Sequence, residues 1–191
     1  LFVAMATQPE WVVDMVDTML DSSIAMLEMV WDAGYHFDEV MWYNDMGYKH
    51  AQFMSVDMYR ELFKPAARRA AEWAHSKGLK TYIHSCGDVN PFVPEFIDVG
   101  IEMLNPLEVK AGMDPLALKA QYGDQMAFHG GLNALYYEHP DDMWAEMERV
   151  IPVMKEKGGY VIATDHSIPD SVNLDLYHEF VARAKVLGSY D

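Results

Sequence analysis

Short apolar runs alternate with longer segments of helical periodicity along this chain. Helices are predicted over residues 9–33, 55–76, 91–99, 114–121, 141–157 and 174–187, and strands over 37–43, 79–84, 101–104, 126–129 and 160–164. In the first helix, Trp11, Met15 and Met19 recur at the spacing of one helical face. Regular alternation of strands with helices is typical of a parallel α/β sheet.

Local signals mark the ends of several predicted helices. Pro9 lies at the start of the first helix, where its missing N–H has no partner to lose, and Gly34 ends that helix. Ser55 is a predicted cap for the second helix, because its hydroxyl can accept a main-chain N–H of the first turn. Gly78 ends this second helix, and Gly100 ends the third. These signals support the boundaries taken from periodicity.

Five strand–helix units follow one another, with no low-complexity linker between them. The 191 residues fit one domain. We predict the α/β class, as about five C-terminal units of a (β/α)8 TIM barrel, with the N-terminal strands absent because a full barrel needs about 250 residues. A doubly wound sheet is the alternative, although no glycine-rich dinucleotide fingerprint follows any strand. Because an open barrel leaves sheet edges uncovered, we expect a homo-oligomer.

Composition and charge exclude several classes of function. Hydrophobic residues make up 51% of the chain, which is enough for a core, and the net charge of −16 disfavours nucleic acid as a partner. No apolar run reaches the roughly 18 residues of a membrane span, so no membrane association is predicted. The single cysteine, Cys86, allows no internal disulfide and suits a reducing cytoplasm. We therefore predict a cytoplasmic protein.

Polar or glycine-rich segments follow every predicted strand, where α/β enzymes place their active sites. His84 and Cys86 lie two residues apart at one strand end, so period two directs both side chains to the same side. A histidine nitrogen and a cysteine sulfur can bind the same zinc ion. The pair alone is weak evidence, because a cysteine is often only a small buried hydrophobic residue.

Two further donors follow later strands. Glu108 comes after the third strand and His166 after the last. Taken singly, each has an ordinary interpretation, as a surface glutamate and as a loop histidine beside a solvated Asp165. Added to the first pair, they complete a set of nitrogen, sulfur and oxygen donors that suits zinc better than magnesium.

Other residues at the strand ends are candidates for substrate contact and catalysis. We predict that a small-molecule substrate is bound by Tyr43, Asn44, Asp45, His129, Gly130 and Asn133. Asp45 and Glu108 are the predicted catalytic residues. Asparagine and aspartate also form turns, and the pair of glycines at 130 and 131 indicates either close backbone approach or a tight turn.

Several motifs of this chain occur together in one known superfamily. They are Tyr59-Arg60-Glu61-Leu62-Phe63-Lys64-Pro65, His84-Ser85-Cys86-Gly87-Asp88, Leu104-Asn105-Pro106-Leu107-Glu108, Phe128-His129-Gly130-Gly131-Leu132-Asn133, Gly158-Gly159-Tyr160 and His166-Ser167-Ile168-Pro169. The His-x-Cys-Gly segment and the Gly-Gly turn are fairly specific in combination. Over about its full length, the chain resembles the C-terminal portion of the uroporphyrinogen decarboxylase superfamily barrel.

The resemblance implies one of two activities. The decarboxylase branch acts in porphyrin biosynthesis and needs no metal or cofactor. The second branch comprises cobamide-dependent methyltransferases, which hold zinc with a histidine, two cysteines and, before the thiol substrate binds, a glutamate. By this resemblance His84, Cys86 and Glu108 are zinc ligands. His166 stands at the position of the second cysteine, so the ligand set departs from the family pattern.

We therefore predict a zinc-dependent, methyltransferase-like enzyme. It would transfer a methyl group between a corrinoid, carried by a partner protein or as free cobamide, and a thiol or similar acceptor. One alternative is uroporphyrinogen decarboxylase, which predicts a basic pocket, whereas the segments after the strands here are poor in arginine and lysine. The other alternative is a truncated, inactive barrel fragment that oligomerises.

Overall fold

The computed structural model describes residues 1–190. Its helices are α1 (Phe2–Thr7), α2 (Pro9–Asp32), α3 (Val56–Leu62), α4 (Lys64–Ser76), α5 (Val93–Asp98), α6 (Pro115–Tyr122), α7 (Pro140–Met154) and α8 (Leu174–Gly188). Its strands are β1 (Glu39–Tyr43), β2 (Gly47–Tyr48), β3 (Ala51–Gln52), β4 (Lys80–His84), β5 (Met103–Asn105), β6 (Ala127–His129) and β7 (Tyr160–Val161). Short 3-10 turns cover Asn90–Phe92, Val109–Ala111 and Ala134–Glu138.

Five strands form one parallel sheet in the order β1-β4-β5-β6-β7. Apart from the separate hairpin of β2 and β3, each strand is followed along the chain by its neighbour in the sheet, with a helical segment between them. A doubly wound sheet would reverse its direction at a switch point, and this sheet does not. The predicted α/β architecture, five consecutive units of a (β/α) barrel, is confirmed. None of the described helices is both long and apolar enough to cross a membrane.

The two faces of the sheet differ in chemistry. On the face that packs against the helices, Ile83, Leu104 and Phe128 occupy matching positions on β4, β5 and β6, and all three are buried. On the opposite face of β1, Met41 and Tyr43 are 47% and 71% exposed. This opposite face corresponds to the interior of a barrel, and it presents the polar residues that end the strands.

Two predicted elements are wrong in extent. The single helix predicted over 55–76 is two helices, because Pro65 lacks the N–H of a continuous helix and its ring would meet the carbonyl of Glu61. The predicted cap is confirmed, since the Ser55 hydroxyl accepts the Met58 N–H at 3.2 Å. The strand predicted over 160–164 has only two residues in the ladder, followed by an isolated bridge between Leu132 and Thr164.

The short hairpin of β2 and β3, which the periodicity did not reveal, lies against the loop that follows β4. The Gly47 N–H donates to the Cys86 carbonyl at 3.2 Å, and the Asp88 N–H donates to the Lys49 carbonyl at 2.8 Å. A Cβ atom at Gly47 would lie 2.6 Å from the Cys86 oxygen, and one at Gly87 would overlap the Gly47 backbone. Two backbones meet here because neither glycine has a side chain.

Replacement of Gly87 by alanine is expected to destabilise the protein more than replacement of Gly78. Both residues have positive φ angles, of 79° and 76°, so alanine costs about 1–2 kcal/mol at either position. Nothing lies within 4 Å of a Cβ at Gly78, whereas at Gly87 the hairpin backbone must move, which adds about 1–3 kcal/mol. Urea denaturation of both variants measures the difference. Equal losses would show that the hairpin does not press on this loop.

Candidate metal centre

His84 ends β4 and lies in a row of polar residues across neighbouring strands. Tyr43 and Asn105 are its register partners on β1 and β5. The Tyr43 ring stacks on the His84 ring with a centroid distance of 3.9 Å and an interplanar angle of 13°. The Nδ1 atom of His84 lies 2.7 Å from Oδ1 of Asn105. The ring is therefore held on one face and at one nitrogen, and Nε2 faces the loops that carry Cys86 and Asp45.

The side chain of Cys86 places its sulfur beside Nε2 of His84. The Sγ atom lies 3.4 Å from Nε2 of His84. The Cys86 N–H donates to Oδ1 of Asp45 at 2.9 Å, and the same oxygen lies 3.7 Å from Nε2 of His84. One ligand atom from each of these three residues lies within 4.8 Å of the other two. Asp45 therefore both orients the loop and contributes an oxygen beside the sulfur.

Glu108 and His166 approach Cys86 from another direction. Glu108 is only 8% exposed, and its Oε2 accepts the Gly87 N–H at 2.7 Å. Ligand atoms of Cys86, Glu108 and His166 also lie within 4.8 Å of one another. The interpretation of Glu108 as an ordinary surface residue is wrong. All four predicted metal ligands thus belong to two overlapping groups that share the Cys86 sulfur.

Asp165 holds the loop that carries His166. The Asp165 carboxylate is buried and accepts the N–H of Val109 at 3.1 Å and the N–H of Ala134 at 2.9 Å. These hydrogen bonds join the loops that follow three different strands. Nδ1 of His166 lies 3.6 Å from the same carboxylate. The expectation that Asp165 is solvated is wrong, because its oxygens replace water as acceptors for main-chain N–H groups.

The charges around Cys86 are predominantly negative. Burial, together with the nearby carboxylates of Asp45 and Glu108, raises the pKa of the Cys86 thiol to about 11. Lys110 opposes this effect weakly, with its Nζ 3.9 Å from Oε1 of Glu108. The thiol therefore keeps its proton at neutral pH unless a further positive charge enters the site. A divalent cation would supply that charge, and ionised Cys86 and Glu108 would balance it.

The donor types around Cys86 fit zinc. Zinc binds thiolate sulfur and imidazole nitrogen together, whereas magnesium and calcium require oxygen ligands almost throughout. The hydrogen bond between His84 and Asn105 is the kind of outer contact that orients a histidine ligand. Two groups could hold an ion, and both include Cys86: one adds His84 and Asp45, and the other adds Glu108 and His166.

A second histidine lies beside this cluster. The Tyr82 hydroxyl and Nδ1 of His129 form a short hydrogen bond. Burial lowers the pKa of His129 and raises the pKa of Tyr82 to about 12, so both groups are neutral at physiological pH. This hydrogen bond joins His129 on β6 to Tyr82 on β4 and orients the imidazole ring.

The structure brings some predicted substrate-binding residues together and not others. Tyr43 and Asp45 contact the cluster directly, whereas Asn44 lines a cavity of about 130 Å³ between β1 and helices α2 and α4. The side-chain oxygen of Asn133 accepts the Leu135 N–H. At Gly130 the backbone lies directly against Pro106, so the predicted close approach is observed. Substrate contact by these residues stays a prediction.

Two residues of the site were missed by reasoning from the sequence. Asn105 joins His84 to β6, because its Nδ2 donates to the His129 carbonyl at 3.2 Å. Tyr82 orients His129. A signal for Asn105 was present, since it is polar and immediately follows a predicted strand beside the one that ends at His84. Tyr82 had no such signal, because a tyrosine inside a strand is ordinary core material.

Comparisons with known proteins concern the family and the fold of the chain. The family description "Uroporphyrinogen decarboxylase (URO-D)" matches residues 1–187. No curated protein sequence matches the chain. Among solved structures, the chain is similar to a methyltransferase from Methanosarcina mazei, with 20% identity and a TM-score of 0.71. The alignment covers 98% of this chain and 53% of that one, so the chain spans about half the length of that methyltransferase.

The structural likeness concerns the fold, because the sequence identity is low. The family match rests on the sequence. It covers the strands, the hairpin and every residue of the candidate metal centre. The resemblance read from the sequence motifs is thereby confirmed. The chain belongs to the uroporphyrinogen decarboxylase (URO-D) family.

Proposed function

We propose that this chain is part of a zinc-dependent methyltransferase that transfers a methyl group between a corrinoid and a thiol or a similar acceptor. The observation that carries the proposal is that ligand atoms of His84, Glu108 and His166 each lie within 4.8 Å of the Cys86 sulfur. Membership of the URO-D family and the fold shared with a methyltransferase support it.

Each ligand has a distinct role in this proposal. Nε2 of His84, Sγ of Cys86 and the His166 ring would hold the ion, and Oε1 of Glu108 would be the ligand that a substrate thiol replaces. Glu108 is suited to this exchange because its other oxygen is already held by the Gly87 N–H. The chemistry that zinc supplies when bound is to lower the pKa of a substrate thiol, so that a thiolate forms at neutral pH.

In this proposal Asp45 accepts a proton from the substrate, and the open face of the sheet binds the substrates. Asp45, whose side chain is 45% exposed, can accept the proton of an incoming thiol and pass it to water. A methylated corrinoid, when bound, would supply the methyl group for transfer to the sulfur of that thiolate. The corrinoid, on a partner protein or free, would approach over the strand ends, where Tyr43 and His129 contact the small-molecule substrate. The single cysteine of the chain, which allows no internal disulfide, is compatible with the cytoplasmic setting that we propose.

Zinc binding is the first test of this proposal. The purified, reduced chain is expected to bind one zinc ion, and His84→Ala or Cys86→Ala is expected to weaken binding by roughly 100-fold or more, since loss of an outer contact alone costs 10–100-fold. Competition with a chromophoric chelator measures the affinity. The matched control is His178→Ala, which removes an exposed histidine of α8. Zinc binding that is unchanged in both ligand variants would contradict the proposed centre.

Methyl transfer is the second test. With methylcobalamin and 2-mercaptoethanol as probes, the zinc-loaded chain is expected to accelerate demethylation, followed anaerobically by corrinoid absorbance. The metal-free chain and the Cys86→Ala variant are expected to lose this acceleration. Uroporphyrinogen is the comparison substrate, because the family name suggests decarboxylation. Metal-independent decarboxylation of that substrate, with no demethylation, would favour the decarboxylase branch over the methyltransferase branch.

We also propose that two copies of the chain associate. Met41 and Tyr43 are exposed on the open face of the sheet, and Met19, Met26 and Met29 are 69%, 60% and 72% exposed on α2. Apolar surfaces of this kind favour burial against a partner. Sedimentation equilibrium at micromolar concentration is expected to give twice the monomer mass. A monomer throughout the concentration range would refute self-association.

A further inference from the structure

Asn105 connects the two histidines of the strand-end row. Its Oδ1 lies 2.7 Å from Nδ1 of His84, and its Nδ2 lies 3.2 Å from the carbonyl oxygen of His129. A carbonyl oxygen can only accept a hydrogen bond, so the NH2 group of the amide must face His129. The amide oxygen must therefore face His84, and the hydrogen between them belongs to Nδ1 of the imidazole.

This arrangement determines which nitrogen of His84 has a free electron pair. In a neutral imidazole one nitrogen carries the proton and the other accepts. With the proton on Nδ1, the electron pair of Nε2 faces Sγ of Cys86 at 3.4 Å. A metal ligand needs this electron pair. The opposite tautomer would place a hydrogen where the metal has to bind.

Asp45 favours that opposite tautomer. Its Oδ1 lies 3.7 Å from Nε2 of His84, and a carboxylate near this nitrogen attracts an Nε2 proton. The contact with Asn105 is a hydrogen bond by its length, whereas the contact with Asp45 is too long to be one. The stacked Tyr43 ring also holds the imidazole in the plane that faces Asn105. The hydrogen bond to Asn105 therefore favours the Nδ1–H tautomer of His84 over the Nε2–H tautomer.

We infer that Asn105 is a positioning residue which holds His84 as the Nδ1–H tautomer and so directs the Nε2 electron pair into the candidate metal centre. Its amide NH2 group, bonded to the backbone of β6, prevents the amide from rotating and presenting a donor to His84. The role of Asn105 in metal binding rests on the proposed zinc function. The tautomer of His84 does not, because it is a property of the protein without metal.

Nitrogen-15 NMR of the metal-free chain tests the tautomer directly. Two-bond proton–nitrogen spectra at alkaline pH are expected to show His84 with a protonated Nδ1 and an unprotonated Nε2. The His84 signals are assigned by their loss in His84→Ala. A dominant Nε2–H form in the unmodified protein would overturn the inference without any Asn105 variant.

Two variants then separate positioning from general structural support. Asn105→Leu removes the acceptor, and we expect the Nε2–H form to appear and zinc affinity to fall by roughly 10–100-fold. Asn105→Asp keeps an acceptor beside Nδ1, and we expect it to retain the Nδ1–H form and zinc affinity within about threefold, because the outer contact to His84 is kept. Gln121→Leu, which replaces an exposed amide on α6, is the control for added apolar surface.

The outcomes distinguish this inference from the proposed function. An Nδ1–H tautomer in a protein that binds no zinc would refute the zinc function and leave the tautomer assignment intact. Tight zinc binding through His84 in Asn105→Leu, equal to that of the unmodified chain, would refute the positioning role alone. If Asn105→Leu does not fold, a loss of the Nδ1–H form in folded Asn105→Asp would also overturn the inference.

Discussion

The parallel register of β1, β4 and β5 is the constraint on which the candidate site depends. It places Tyr43, His84 and Asn105 side by side although they are distant in the chain. The register is held from the other face of the sheet, where residues such as Ile83 and Leu104 are buried against the helices. A slip of one residue would turn these apolar side chains towards the open face and the polar row towards the helices. Hydrophobic packing therefore determines the geometry of the polar cluster.

Carboxylates hold the loops around this row, and in doing so they make the site electronegative. Asp45, Glu108 and Asp165 each accept at least one main-chain N–H from another loop. Two of them, Asp45 and Glu108, also raise the pKa of the Cys86 thiol. The carboxylates that order the loops thus produce a negative potential beside the sulfur, which favours binding of a positive charge there. This coupling gives a physical reason for a cation at the centre, independent of family membership.

The histidines at the ends of β4 and β6 have different hydrogen-bond partners. His84 donates its Nδ1–H to Asn105 and directs the electron pair of Nε2 at Cys86, whereas Nδ1 of His129 is hydrogen-bonded to the Tyr82 hydroxyl. His84 is therefore suited to a metal, and His129 is held by a tyrosine of β4. These partners are neighbours within the sheet or in the loop that follows it. The difference between the two histidines follows from their positions, because the residue type is the same.

The sequence by itself determined the order of strands and helices, because the apolar periods of strands and helices are local properties. It also determined that His84, Cys86, Glu108 and His166 follow strands, which in a parallel sheet end at one edge. Only the tertiary structure decided the break at Pro65, the hairpin packed on Gly87 and the burial of Asp165. It also decided the tautomer of His84, because a proton position depends on partners that no local pattern specifies.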